Sequence, residues 1–176
     1  MNFERITTNA HPMYASAREL YGISFPHHEQ REEPSQIAIL GEKTYHFDLI
    51  YEGDAFVGLV LYWETEGYIY IEHLCILPQQ RNRHYGQQAL SLLAQRKKPL
   101  ILEIDLPVDE ISRRRKAFYE RCGFVENPYP HVHPPYHRGC KGHELVIMSS
   151  SAGISPEEYD VFRQDLQEKV MYHAFA

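Results

Sequence analysis

The segment from Tyr68 to Leu106 restricts the possible folds more than any other, because it reads as strand, turn, helix and strand in succession. Tyr68 to Leu77 is apolar over most of its length, as a largely buried strand would be. Pro78 to Gly86 is a polar, basic turn, and Gln87 to Arg96 then carries Ala89, Leu90, Leu92 and Leu93 at helical spacing. Pro99 restarts the chain, and Leu100 to Leu106 forms the second strand. Strands joined through a helix lie parallel, with the helix as their crossover. Upstream, Tyr45 to Tyr51 and Ala55 to Trp63 flank the turn Glu52-Gly53-Asp54, and Thr65-Glu66-Gly67 leads into Tyr68. These tight turns predict antiparallel hairpins. One sheet therefore combines an antiparallel run with a parallel pair.

The flanks add layers to that sheet. Phe3 to Thr7 reads as a first strand, and His11 to Phe25 as a helix with Tyr14, Ala17, Arg18, Leu20 and Tyr21 on one stripe, ended by Pro26. Ile37, Ile39 and Leu40 suggest a short helix closed by Gly41. Asp109 to Cys122 is helical, and Gly123 can take the left-handed conformation at its end. Phe124-Val125 and His143 to Ser149 read as strands. Pro156 to Val170 is a terminal helix whose Val161, Phe162, Leu166 and Val170 pack on their own domain or form a dimer contact, so monomer and homodimer both stay open. The fold class expected is α/β (α+β), a mixed sheet of six or seven strands with about four flanking helices. One domain over residues 1–176 is expected, with 154–176 as a helical extension.

Composition narrows the function classes. The chain has 176 residues with net charge −6, which argues against a nucleic-acid surface spread over the whole domain. Basic residues still cluster at Arg81 to Arg83, Arg96 to Lys98 and Arg113 to Lys116, as a local anion site requires. The three cysteines, Cys75, Cys122 and Cys140, are too scattered for a disulfide framework. Met1 to Ala10 holds no apolar run, and no stretch approaches the ~20 apolar residues of a membrane span. A cytoplasmic setting is expected.

A strand ending in a basic turn, with a helix starting beyond it, is a ready anion site. Backbone N–H groups at a helix start carry partial positive charge, and Arg81 and Arg83 add full charges. That combination suits a pyrophosphate. Arg81-Asn82-Arg83-His84-Tyr85-Gly86 resembles the Arg/Gln-x-x-Gly-x-Gly/Ala turn of the GNAT superfamily of acyl-CoA N-acyltransferases, with His84 in the place of the first glycine. Phe118-Tyr119-Glu120-Arg121-Cys122-Gly123-Phe124 is similar to that family's helix-ending Phe/Leu-Tyr-Glu-x-x-Gly-Phe. Leu100-Ile101-Leu102-Glu103-Ile104 is similar to its Leu-x-Leu-Glu-Val strand. All stand in the family's order.

The resemblance implies acetyl-CoA as cosubstrate, its pyrophosphate on Arg81, Asn82, Arg83, His84, Tyr85, Gly86 and Gln87. Its pantetheine arm would enter a splayed gap in the central parallel pair, against the backbone of Leu74, Cys75 and Ile76. Ser112 stands where many relatives carry an asparagine touching the cofactor. Tyr119 would be the general acid for the departing thiolate, a phenol of pKa near ~10 being matched to that task. Period-two alternation puts Tyr70, Glu72, Leu74 and Ile76 on one strand face and Ile69, Ile71, His73, Cys75 and Leu77 on the other. Glu72 and Glu103 are rival general bases, with His73 behind them. A small-molecule or peptide amine is the expected acceptor.

Asn127 to Gly142 offers two readings. Tyr129, His131, His133 and Tyr136 suit an aromatic, imidazole-rich loop over the acceptor pocket. His131, His133, His137, Cys140 and His143 have zinc-ligand types, but Pro128, Pro130, Pro134 and Pro135 stiffen the segment and no Cys-x-x-Cys is present. No metal is expected.

Overall fold

The structure, a computed structural model, describes residues 1–175. Strand β1 (Asn2–Ile6) precedes helices α1 (Tyr14–Ser24) and α2 (Glu33–Ile39). The antiparallel run is β2 (Tyr45–Glu52), β3 (Ala55–Glu64) and β4 (Ile69–Ile76). Helix α3 (Tyr85–Ala94) crosses to β5 (Leu100–Asp105), which pairs parallel to β4. Then come α4 (Glu110–Arg121), β6 (Phe124–Glu126), β7 (His131–His133), β8 (His143–Ser150) and α5 (Pro156–Asp165), which runs on as a π-helical turn through Leu166–Val170. The order across the sheet is β1-β2-β3-β4-β5-β8-β6, with β7 also on β8. No helix among the described residues is long and apolar enough to cross a membrane.

Local chemistry sets the helix starts. Asp109 and Ser112 close a capping box at α4, and Ser155 and Glu158 close one at α5, where Pro156 occupies the first turn. Two apolar clusters sandwich the sheet. On one face α1, α2 and α5 bury Tyr14, Leu20, Ile39, Phe162, Leu166 and Val170 against Phe47, Leu49 and Leu61. On the other, Ala89, Leu90 and Leu93 of α3 meet Ile69, Ile71, Leu100 and Leu102, with Phe118 and Tyr119 of α4 at the margin. The terminal stripe thus packs on its own sheet, although Val161 stays outside it and is exposed.

Three features differ from the sequence reading. The sheet has eight strands, since His131–His133 forms β7 within the supposed loop. β7 and β6 share the outer edge of β8, and prolines bracket both ends of β7, as an edge strand tolerates. The short helix begins earlier, at Glu33, with Pro34 in its first turn. The face alternation of β4 also breaks. Leu61 pairs with His73 but Tyr62 with Ile71, so Glu72 is the extra residue of a bulge. Beyond it, Leu74 and Ile76 turn to the α3 face and Cys75 to the α1 face.

Candidate active site

The parallel pair β4–β5 holds for only three residue pairs, Ile69–Leu100, Tyr70–Ile101 and Ile71–Leu102. Past the Glu72 bulge the strands diverge, and a cavity of about 720 Å³ opens between Glu72–Ile76 and Leu102–Asp105. Arg81, Gly86, Phe118, Tyr119, His133 and Tyr136 complete its walls. Leu77 N–H donates to Val57 O at 2.9 Å. Antiparallel alternation then turns the peptide groups of His73 and Cys75 to β3 and those of Leu74 and Ile76 toward the gap that β5 has left. Arg81 Nε donates to Ile76 O at 3.4 Å, as that orientation allows.

None of the backbone amides from Asn82 to Gln87 has a hydrogen-bond partner among the described residues; the first of α3 to find one is Gln88, on His84 O. These amides stand beside Arg81 at the turn where the sequence reading expects an anion site. Histidine occupies the glycine position of that turn. It takes φ +62°, and Asn82 takes +63°, so both adopt the left-handed conformation. Arg81, Asn82, Arg83, His84 and Gln87 are exposed, with Tyr85 and Gly86 partly covered. A Cβ on Gly86 would meet the Phe118 ring at 3.3 Å, so the small residue lets α3 approach α4 closely.

Tyr119 lines the cavity, edge to face with Phe118 and Phe124, and its hydroxyl makes no hydrogen bond among the described residues. Burial pushes its pKa up to about 12, so the phenol keeps its proton at neutral pH. Ser112 lies apart: its buried hydroxyl caps α4 on Asp109, outside the cavity lining. Burial also pushes the Cys75 thiol up to about 11.

Both glutamates are locked in networks. Glu72, read from the sequence as a candidate base, is buried in an ion pair with Arg31 at 3.0 Å. It also accepts from Trp63 Nε1 at 2.8 Å and Tyr136 Oη at 2.7 Å. Burial alone would raise its pKa, but the Arg31 guanidinium and these donors win and hold it at about 2. Glu103 accepts from Tyr70 Oη at 2.5 Å and contacts His131 Nε2. Burial opposes, yet His133, His131 and Tyr70 together hold its carboxyl below the ordinary value. His73, on the cavity wall, has Nε2 on Glu29 O at 2.9 Å, and burial lowers it to about 4.

The four acceptor-side residues divide. Tyr129 stacks on Tyr159 and donates to Ile154 O, and His131 is spent on Glu103 and Tyr159, so neither reaches the cavity lining. His133 and Tyr136 do reach it. His133 Nδ1 lies 2.6 Å from Pro134 O. A carbonyl only accepts, so Nδ1 carries the hydrogen and Nε2 the lone pair. That Nε2 is 3.4 Å from Tyr136 Oη and 3.9 Å from Glu103 Oε2. The histidines and cysteine of this segment do not converge: His137 stacks on His27 and contacts Glu32.

Arg31 was missed in the sequence. It sits in a polar stretch with no periodicity, yet it is 1% exposed and also bonds Ser35 and Val170 O. A lone arginine in a loop gives no sign of the carboxylate, distant in sequence, that buries it.

Comparison with known proteins places this architecture. Residues 10–124 match the model of the acetyltransferase (GNAT) family. A GNAT-family protein of Bacteroides thetaiotaomicron shares 30% identity over 97% of this chain and 98% of its own, with TM-score 0.89. A Bacillus subtilis acetyltransferase solved with CoA has the same fold at TM-score 0.56 and 13% identity, covering 86% of this chain and 99% of that one. So does a GNAT acetyltransferase of Elizabethkingia anophelis with acetyl-CoA bound, at TM-score 0.57 and 14% identity, covering 85% and 97%. Among curated proteins no sequence matches the chain. With a family model over most of its length and a full-length relative at that identity, the chain belongs to the GNAT acetyltransferase family.

Proposed function

We propose that the chain transfers the acetyl group of acetyl-CoA to a primary amine of a small molecule or peptide. One observation carries this reading: the turn with the unpaired amides of Asn82 to Gln87 borders, through Arg81 and Gly86, the same cavity that Tyr119 lines, the gap where β5 leaves β4. The pyrophosphate sits on those amides with Arg81, and the pantetheine arm follows the Leu74 and Ile76 backbone. Bound CoA and acetyl-CoA in the relatives named above support the choice of cosubstrate.

Transfer is direct in this reading. The amine lone pair attacks the thioester carbon, the N–C bond forms, and the C–S bond breaks as the tetrahedral intermediate collapses. Tyr119 gives its proton to the departing sulfur. Cys75 does not intervene, because its thiol stays protonated. The amine proton goes to His133 Nε2 rather than to either glutamate, whose carboxylates are held as paired anions. Once protonated, Nε2 can donate to Tyr136 Oη, and Glu103 lies near to balance the imidazolium.

We also read the chain as one domain in a cytoplasmic setting, with residues 154–176 as its helical extension; Ala176 lies outside the described residues. Thiol release from acetyl-CoA, followed across a panel of primary amines, tests the function. Turnover with any amine supports it. Binding of acetyl-CoA with no release across the panel would make the chain an acyl-CoA-binding module instead.

A further inference from the structure

One cluster of metal-ligating side chains stands at the rim of the cavity and takes no part in the chemistry above. His28 and Glu29 lie in the turn after α1, and His143 opens β8. Their ligand atoms lie within 4.8 Å of one another. His28 Nε2 is 3.7 Å from Glu29 Oε1, and His143 Nε2 is 3.5 Å from Oδ1 of Asp105 at the end of β5. Arg115 holds the other Asp105 oxygen at 2.6 Å, which leaves Oδ1 for His143. Around a tetrahedral ion with bonds of about 2.0–2.1 Å, donor atoms stand roughly 3.3 Å apart. Small rotations of these part-exposed side chains therefore close the set.

Two imidazoles with carboxylates suit zinc, whereas calcium and magnesium call for oxygen ligands throughout. The rings of His28 and His143 meet edge to face at 5.3 Å, although their segments lie far apart in sequence. We infer that His28, Glu29 and His143, with Asp105 beside them, form a Zn²⁺ site that ties the turn after α1 to the sheet at the cavity rim. Three protein ligands leave a coordination position for water or a donor atom of an incoming molecule. The site does not depend on the transferase reading, and it uses none of His131, His133, His137 or Cys140.

Tag-free, chelator-treated protein titrated with ZnCl₂ in a calorimeter tests it. One equivalent should bind. His143→Ala should weaken binding roughly 100-fold or more, since even outer-shell changes at metal sites cost about 10–100-fold. His137→Ala, which removes an imidazole outside the set, should leave affinity unchanged. Circular dichroism checks the fold of each variant, and His28→Ala gives the same test should His143→Ala unfold. Substoichiometric zinc, unchanged affinity in His143→Ala, or an equal loss in His137→Ala would overturn the site.

Discussion

His84 shows how much one residue can be asked to bear. Its φ of +62° is the conformation that glycine adopts freely, and a side chain there costs roughly 1–2 kcal/mol. Reshaping the turn to spare that cost would re-aim the unpaired amides proposed to hold the pyrophosphate. His84→Gly should therefore keep acetyl-CoA affinity, while the β-branched His84→Val should weaken it and lower the urea midpoint. Equal midpoints and affinities for all three would show that the turn is not fixed. Tyr119 is tested by Tyr119→Phe, which keeps the ring packing and removes the hydroxyl proposed as the acid. Thiol-release kinetics should show kcat reduced by about 10²–10⁴-fold with little change in acetyl-CoA affinity; an unchanged kcat would move the acid elsewhere.

At the scale of elements, the bulge at Glu72 and the early parting of β4 from β5 create the site. Gly58 on β3 supports them: a Cβ there would lie 2.3 Å from Cys75 O and 2.8 Å from Ile76 Cδ1. Gly58→Ala should push β3 from the cavity-lining part of β4, costing about 1–3 kcal/mol in denaturant unfolding and weakening acetyl-CoA binding. Wild-type stability in that variant would show that the strand is slack. The sequence carried the long elements well, since β2 to β5, α3 and α4 announce themselves by apolar period and by turn residues. It could not show which faces Leu74 and Cys75 occupy, because a bulge changes register without changing composition. β7 escaped notice because three residues between prolines carry no period. The basic turn at Arg81 to Gly86 and the helix end at Tyr119, both on the cavity wall, were legible as local patterns. The Arg31–Glu72 pair and the His28–Glu29–His143 cluster were not, because each joins segments that only the folded chain brings together.

For the whole molecule, Arg31 is a keystone between α2, β4 and the C-terminal segment. Arg31→Met leaves Glu72 buried without its cation and should cost about 3–5 kcal/mol. The same pair sets acid stability. Glu72 is held near 2 when folded, against ~4.3 for an unpaired glutamate. Its contribution is therefore complete above about pH 4.3 and lost as pH falls toward 2. Urea midpoints should fall across that window in the wild type and less steeply in Glu72→Gln; parallel curves would deny the pair that part. All of these effects converge on one cleft, and a crystal structure with acetyl-CoA tests it most directly. The pyrophosphate should lie on the amides of Asn82 to Gln87, with the thioester between β4 and β5 beside the Tyr119 hydroxyl. A cofactor bound elsewhere, or with its sulfur remote from Tyr119, would contradict the proposed transfer.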